Sequence, residues 1–239
     1  MRFSHPVFRL KRQARLLSRK DGIPLNKALD RIAAGEGYKS WGHLAANAET
    51  GRPAGALLAQ LAPGDLVLLG ARPGHGKTLL GLELLAEAAK AGRHGFFFTL
   101  DYSDADVVDR VRALGIEPGA ISSRVTLDTS DGICADHIIA EMDTAPPRSI
   151  AVVDYLQLLD QKRRNPELAE QVAALRTFAQ TIGHIVVLIS QIDRAYDPEE
   201  KPLPDLSDVR LPNPVDLTLF TKSCFLHDGE VRLDAVARG

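Results

Sequence analysis

Two stretches of the sequence carry residue types that can bind phosphate and a metal ion. The first, DLVLLGARPGHGKTLLGLELL at residues 65–85, departs by one residue from the phosphate-loop pattern G-x-x-x-x-G-K-[ST], because alanine stands at the first glycine position. Backbone N–H groups of such a loop and the positive end of the following helix dipole attract phosphate oxygens. We therefore predict nucleotide contacts from nine consecutive residues: Ala71, Arg72, Pro73, Gly74, His75, Gly76, Lys77, Thr78 and Leu79.

The residue types within this loop predict separate roles. Lys77 would place its ammonium group against the β- and γ-phosphates of ATP, and Thr78 would offer its hydroxyl to Mg²⁺. Gly74 and Gly76 permit backbone conformations that a side chain would forbid or crowd. Ala71 is acceptable if its φ angle is negative, since its side chain is a single methyl group. The alternative interpretation is an ordinary strand–turn–helix corner that binds no ligand.

The second stretch, SIAVVDYLQLL at residues 149–159, is an apolar run interrupted by Asp154. An aspartate at the carboxyl end of a parallel strand lies at the crevice where α/β sheets bind ligands. There Asp154 would hold a water molecule on Mg²⁺. The alternative is a strand-end aspartate that caps a turn, but the presence of both stretches favours a site for ATP and Mg²⁺.

Elements that can position these residues follow one another from residue 62 onward. Continuous apolar runs, typical of strands buried on both faces, occur at Leu66–Leu69, Gly95–Leu100, Val125–Asp128, Ser149–Asp154 and Ile185–Ser190. Helical patterns separate them, near residues 77–91, 104–114, 133–143 and 166–182. This alternation predicts an α/β domain at 62–239 with a mainly parallel sheet flanked by helices. The last segment predicts two strands joined by a turn at Asp228 and Gly229.

The first 50 residues differ in character from the rest of the chain. They contain ten Lys or Arg and four Asp or Glu, and three short helical patterns, so we predict a small basic all-α module at 1–50 and a linker at 51–61. The basic face is either a solvated helix surface or an arm that contacts nucleic acid. The only tryptophan, Trp41, is expected to anchor the core of this module rather than to stack on bases.

Composition excludes several classes of protein. No apolar run is long enough to span a membrane, and the N-terminus lacks the pattern of a secretory signal. The two cysteines, Cys134 and Cys224, are far apart, which argues against a zinc site or a disulfide framework. We therefore expect a protein of the reducing cytoplasm.

Four motifs taken in order resemble one family. VLLGARPGHGKT, FFFTLDYS, AVVDYLQLL and VVLISQIDR, spread over roughly residues 55–239, are similar to the ATPase domain of DnaB-type replicative helicases. The resemblance implies a RecA-like P-loop NTPase fold, ATP hydrolysis with Mg²⁺, phosphate and metal binding by Lys77 and Thr78, and a metal-side role for Asp154. It also implies that Gln191 senses the γ-phosphate, although a polar residue that merely ends a strand is the alternative.

The chain departs from the family pattern at two places. The family has an activating glutamate where this chain has Asp101, which is shorter by one methylene; alternatively, Asp101 caps the next helix together with Asp104. The family also ends with a Lys-x-Arg pair that reaches into a neighbouring subunit. Here Arg238 stands at the lysine position, no residue is left for the arginine, and Arg232 would need a different geometry. Arg72 lies either near the nucleotide or on the surface.

These observations lead to one main hypothesis and two rivals. The main one is a DnaB-like ATP hydrolase that acts on single-stranded DNA or on a replication complex, with possible self-association; the absent arginine counts against a ring. The first rival is an ATP-gated regulatory or loading module with little hydrolysis and no helicase activity. The second is a small-molecule kinase, which DYLQL and ISQIDR disfavour.

Overall fold

The structure is a computed structural model that describes residues 7–44, 53–160, 165–197, 200–201, 203–211, 213–227 and 230–237. The chain divides into two compact units, Met1–Pro53 and Ala54–Gly239. None of the described helices combines the length and the apolar character that crossing a bilayer requires.

The first unit is a small helical module. Helix α1 spans Val7–Asp21 and helix α2 spans Leu25–Gly35, and residues 41–44 are also helical. Its small core contains buried residues from all three parts, with two partly buried side chains packed against them: Leu10, Ala33, Tyr38, Leu44, Ile32 and Trp41. Trp41 thus lies against the core, as expected, and its backbone N–H donates to Asp30 Oδ1 over 2.8 Å.

The second unit alternates strands and helices along the chain. Its helices are α3 Pro53–Gln60, α4 Lys77–Lys90, α5 Asp104–Ala113, α6 Pro118–Ser122, α7 Ala135–Asp143 and α8 Leu168–Ile182. Its strands are β1 Leu66–Ala71, β2 Gly95–Thr99, β3 Val125–Asp128, β4 Ile150–Asp154, β5 Ile185–Gln191, β6 Lys222–His227 and β7 Glu230–Ala235. Short 3₁₀ turns occupy Leu156–Asp160, Leu206–Asp208 and Leu217–Leu219.

All seven strands form one sheet in the order β3-β2-β4-β5-β1-β6-β7. The pairs among the first six strands are parallel, and only β7 runs antiparallel, against β6. Apolar clusters cover both faces of the sheet, one of them including α4 and the other α7 and α8. The predicted mainly parallel sheet flanked by helices is confirmed, because every apolar run found in the sequence is a strand of this sheet between two helical layers.

The structure differs from the sequence-based prediction in two places. The interval 51–61, predicted as a linker, contains α3, whose Leu57 and Leu58 are buried in the apolar cluster around α4. The short helix α6 was not predicted. The last segment contains the two predicted strands, β6 and β7, and β6 lies beside β1 and extends the main sheet. The turn predicted at Asp228 and Gly229 lies outside the described residues.

Candidate nucleotide site

The loop between β1 and α4 has the backbone that a phosphate cradle requires. Ala71 is the buried last residue of β1, paired with β5 and β6 on either side, and its φ is not positive, so the condition for alanine at this position is met. Gly74 and Gly76 have φ angles of 82° and 89°, which favour glycine. The His75 N–H donates to the Arg72 carbonyl over 3.2 Å, which closes the turn before α4 begins.

Thr78 and Asp154 meet beneath this loop. The Thr78 hydroxyl donates to Asp154 Oδ2 over 2.6 Å, and both side chains are buried, with only 9% and 2% of each residue exposed. Burial raises the pKa of Asp154, and the nearby charge of Asp101 raises it further, whereas the Thr78 hydrogen bond and the charge of Lys77 act in the opposite direction. A hydrogen bond thus joins the two sequence motifs, which are 76 residues apart in the chain.

Helix α4 holds this pair because it packs very closely on the sheet. A Cβ atom on Gly81 would lie 2.9 Å from Val152 Cγ1 and 3.2 Å from Ile189 Cδ1, so only glycine permits this approach without displacing β4 or β5. Strand residues alternate between faces, so Asp154 and Gln191, two positions beyond Val152 and Ile189, lie on the face covered by α4.

Gln191 ends β5, the strand that lies between β4 and β1, and it pairs in register with Ala71. It is partly exposed, and its carbonyl accepts the Arg210 N–H over 2.8 Å. The structure thus brings the amide side chain to the same sheet edge as the phosphate loop and Asp154.

Asp101 follows β2 by two residues and is exposed at that edge. Its charge raises the pKa values of both Asp154 and Tyr155, so the carboxylate lies near the site. The alternative that Asp101 and Asp104 cap helix α5 is wrong. Ser103 is the N-cap, its hydroxyl accepting the Asp106 N–H over 3.3 Å, while the Asp106 carboxylate accepts the Ser103 N–H over 3.1 Å.

Arg72 is bound to a distant part of the chain. Its Nη2 donates to the Arg194 carbonyl over 3.2 Å, and its guanidinium carbon lies 5.8 Å from the centre of the Tyr196 ring. Within the same loop, the His75 ring stacks on His227 at 4.9 Å, and Tyr196 packs edge-on against His227 at 5.6 Å. Sequence reasoning missed Tyr196 and His227 because nothing local indicates that these aromatic residues meet the phosphate loop.

The described residues that follow β5 fold back over the ends of β4 and β5, and we name residues 192–197, 200–201 and 203–211 the return segment. Ile192 and Val209 form an antiparallel bridge, and the Asp193 N–H donates to the Asp208 carbonyl over 2.7 Å. Gln157, which follows β4, donates its Nε2 to the Arg210 carbonyl over 3.1 Å. The backbone of Arg210 thus connects two strand ends, because its N–H binds Gln191 at the end of β5 and its carbonyl binds Gln157 just after β4.

Of the two arginines near the C-terminus considered in the sequence, the structure describes Arg232. Arg232 on β7 forms an ion pair with Asp234, with Nε and Oδ2 2.7 Å apart, and its Nη2 donates to the Pro204 carbonyl over 3.2 Å. It is thus engaged within its own chain. Arg238 lies outside the described residues.

The donor set at the site fits Mg²⁺. Hydroxyl and carboxylate oxygens are the ligands this ion prefers, and it is usually held by one or two carboxylates together with substrate phosphates. Across the described part of the chain, no group of three or more His, Cys, Asp or Glu residues could hold a metal ion. Thr78 and Asp154 would hold Mg²⁺ only together with phosphate oxygens of a bound nucleotide.

Comparisons with known proteins agree with this geometry. A family model described as "DnaB-like helicase C terminal domain" matches residues 122–215, which include Asp154 and Gln191. A probable plasmid replicative DNA helicase of Chlamydia muridarum is 27% identical over 180 residues, covering 63% of this chain and 40% of the relative. The replicative DNA helicase DnaB of Helicobacter pylori strain J99 is 27% identical over 194 residues, covering 66% and 40%.

Solved structures give the same fold. A separately solved ATPase domain superposes with a TM-score of 0.57 at 20% identity, covering 70% of each chain. A DnaB-like replicative helicase, solved in a study of its interactions with primase, gives 0.56 at 19% identity, covering 68% of this chain and 47% of that one.

The matched region spans about 40% of the length of the relatives in sequence, so the similarity concerns one domain of those proteins. Within that domain it extends over the strands that carry Asp154 and Gln191. The second unit therefore has the RecA-like fold of these ATPase domains, and its residues 122–215 are similar to the C-terminal domain of DnaB-like helicases.

Proposed function

We propose that the second unit binds ATP with Mg²⁺, hydrolyses it, and uses the cycle to act on single-stranded DNA or on a replication complex in the cytoplasm. The observation that carries this proposal is the 2.6 Å hydrogen bond between Thr78 and Asp154. It joins the phosphate loop to the strand-end carboxylate, and a turn without a ligand has no need of a buried carboxylate with a raised pKa.

In this mechanism the loop amides and the Lys77 ammonium hold the phosphates, and Thr78 with Asp154 would hold Mg²⁺. When bound, the ion would neutralise charge on the phosphate oxygens. Asp101 accepts a proton from the attacking water or orients it, since it is an exposed carboxylate whose charge acts on the buried Asp154.

Gln191 supplies the link from the nucleotide to the rest of the unit. Its amide can both donate and accept hydrogen bonds, so it can respond to the presence of the γ-phosphate. Its carbonyl already binds the Arg210 N–H, and Arg210 binds Gln157 in turn. A change in the position of Gln191 on loss of the γ-phosphate would therefore be transmitted to the return segment through the backbone of Arg210.

A second candidate function is an ATP-gated regulatory or loading module with little turnover. The ion pair of Arg232 with Asp234 favours it, because this arginine is engaged within its own chain. An arginine finger contributes about 10³–10⁵ in rate in related phosphoryl-transfer systems, so a site without one turns over slowly. In this case a second protein would have to supply the missing cation.

The experiment is steady-state ATP hydrolysis by the full chain, with and without single-stranded DNA. Lys77→Ala should remove turnover, whereas Lys90→Ala, at the far end of the same helix and paired with Glu87 on the surface, should not. DNA-stimulated turnover lost only in Lys77→Ala supports the motor. Tight ATP binding with turnover at the Lys77→Ala level favours the gated module, and absence of ATP binding overturns both.

Asp101 variants separate chemistry from binding in the same assay. Asp101→Asn should lower the turnover rate by about 10²–10⁴ while ATP binding is kept, because positioned proton transfer contributes about that much. Asp101→Glu should keep or raise turnover. Equal turnover in the asparagine variant would remove Asp101 from the mechanism.

A further inference from the structure

Helix α1 of the first unit carries a row of basic side chains along one exposed face. Arg12, Arg15 and Arg19 are exposed and recur at helical spacing, so they lie on one side of the helix, and the exposed Lys20 lies near its end. Among them only Leu16 is apolar, with 57% of its surface exposed. We name Arg12, Arg15 and Arg19 the arginine row.

Two described acidic residues of this unit, Asp21 and Asp30, are engaged away from the row. Helix α1 has one acidic residue, Asp21 at its last position, and this carboxylate is paired with Arg31 on α2 over 3.2 Å. Asp30 is engaged differently, since its carboxylate accepts the backbone N–H of Trp41. Across residues 7–44, nine Lys or Arg face three Asp or Glu. The row is therefore a concentrated positive charge in a unit that is short of acidic partners.

The opposite side of α1 is buried against the rest of the first unit. Leu10 and Ala14 are fully buried, and Leu10 packs in the small core with Tyr38 and Leu44. A basic helix that binds a lipid surface inserts an apolar face into it. Among the described side chains of α1, residues 10–21, Leu16 is the only large apolar one that is exposed. The exposed face thus favours a polyanion that is bound by charge rather than an apolar surface.

The aromatic residues decide between two kinds of nucleic acid. Proteins that bind single strands stack the bases on aromatic side chains. Within the described part of this unit, Tyr38 is buried and Trp41 packs against the core, so neither is presented beside the row. Duplex DNA requires no such platform, because its backbone offers a dense line of phosphates.

From this arrangement we infer that the arginine row of α1 binds the phosphate backbone of double-stranded DNA, without reading its sequence. Arg12 and Arg19 are separated by about 10 Å along the helix axis at a rise of about 1.5 Å per residue, a span that includes several phosphate charges of a duplex. The surface lies in the first unit and does not depend on ATP binding by the second, so it can hold even if the proposed ATPase function fails.

The test is fluorescence anisotropy of a labelled duplex of about 30 base pairs with the full chain at several salt concentrations. The variant Arg12→Gln/Arg15→Gln/Arg19→Gln should bind more weakly, and its plot of log K against log salt should be less steep by about 2.7, since each lost phosphate contact removes about 0.9. The matched control is Lys90→Gln/Arg112→Gln/Arg124→Gln, three surface cations of the second unit. It removes equal charge and should bind like the wild type.

Two further arms make the outcome decisive. Arg12→Lys/Arg15→Lys/Arg19→Lys keeps the charge and should restore binding, and circular dichroism of all variants should show unchanged helix content because the three side chains are exposed. Equal loss of affinity in the control triple variant, or equal salt slopes for wild type and arginine-row variant, overturns the inference. So does an arginine-row variant that loses more affinity for a single strand of the same length than for the duplex, or row-dependent binding to phosphatidylglycerol vesicles without duplex binding.

Discussion

At the scale of single residues, Asp154 combines two opposing demands. It is almost fully buried, which disfavours its charged form, yet the proposed binding of Mg²⁺ requires that form. The Thr78 hydroxyl and the charge of Lys77 partly compensate for the burial, but the pKa of Asp154 remains raised. A carboxylate held in this condition reduces the stability of the free protein and becomes favourable only when a cation is bound beside it.

We therefore expect Asp154→Asn to raise the melting temperature of the protein at about pH 7–8, in EDTA and without nucleotide. Because the folded-state pKa of Asp154 is raised, the charged carboxyl destabilises the folded state above that pKa. This penalty disappears as the pH falls through the folded pKa toward the ordinary value near 3.8. The gain in melting temperature of Asp154→Asn over the wild type should therefore become smaller as the pH falls. For a chain of this size, each kcal/mol of stability corresponds to about 2–4 °C in melting temperature.

Differential scanning calorimetry from about pH 4 to about pH 8 measures this difference, with Asp216→Asn as the control. Asp216 is exposed and its pKa is lowered by its hydrogen bonds to Thr218, so its removal should not stabilise the protein at any of these pH values. A melting-temperature gain for Asp154→Asn that is constant with pH, or a loss at the alkaline end, would contradict the account.

Some of the site could be predicted from the sequence because the chemistry is local. Lys77 and Thr78 follow from the loop pattern, and Asp154 from its place at the end of an apolar strand. The helix-cap role for Asp101 was wrong because Ser103 and Asp106 form a reciprocal pair that satisfies N–H groups at the start of α5. Arg72 could not be placed, since its partners lie more than a hundred residues away.

At the scale of elements, the close contact between β1 and β6 depends on one glycine. Gly70 pairs in register with Phe225, and a Cβ atom at Gly70 would lie 2.7 Å from Phe225 Cε1 and 3.0 Å from Ile192 Cδ1. Phe225 is fully buried in one cluster with Ile192 and Tyr196 of the return segment. Glycine at this position thus lets the last parallel strand and the return segment both pack at the end of β1.

Gly70→Ala should destabilise the protein by about 1–3 kcal/mol, the usual result of forcing an extra carbon into a packed core. Urea unfolding followed by circular dichroism measures it, and Gly119→Ala on α6 is the control, because a Cβ there meets nothing within 4 Å. Phe225→Leu should be destabilising alone, yet the double variant should lose less than the sum of the two single changes. Strict additivity would show that Gly70 and Phe225 do not share this space.

The parallel core was predictable, whereas the placement of β6 and the return segment was not. Continuous apolar runs identify β1, β4 and β5 as buried strands whatever their order. The position of β6 beside β1 depends on contacts of side chains far apart in the chain, such as Phe225 against Gly70. The sequence of residues 192–211, which holds the return segment, is rich in proline and acidic residues, which is typical of a loop. No local sequence pattern indicates the bridge between Ile192 and Val209.

At the scale of the whole molecule, the charge is divided between the two parts of the sequence. Residues 1–50 carry a net charge of +6, and the whole chain carries −2, so the remainder carries −8. A basic helical unit joined to an acidic ATPase-type unit suits a protein whose two parts contact different partners. The division was visible in the sequence, but the exposed arginine row was not, because it depends on which side of α1 the core buries.

Cys224 provides a probe of cooperative opening of the second unit. It is fully buried on β6, paired with Leu69 of β1, and burial raises the pKa of its thiol to about 12. Since the thiolate is the reactive form, the folded protein should not be alkylated there near pH 8, and labelling should require unfolding of the sheet. Cys134, the N-cap residue of α7, is only partly buried and should react faster.

In a Cys134→Ser chain, iodoacetamide labelling of Cys224 followed by mass spectrometry should therefore report global opening, and ATP with Mg²⁺ should slow it. A ligand that binds only the folded state at about 100 times its Kd stabilises that state by about 2.7 kcal/mol, which lowers the labelling rate about 100-fold when labelling follows the opening equilibrium. Lys77→Ala should abolish this protection, while Cys134 in a Cys224→Ser chain should label at a rate that ATP does not change. Fast labelling of Cys224 in the folded protein would mean that β6 detaches by itself. Protection that persists in Lys77→Ala would mean that ATP binds somewhere other than the loop between β1 and α4.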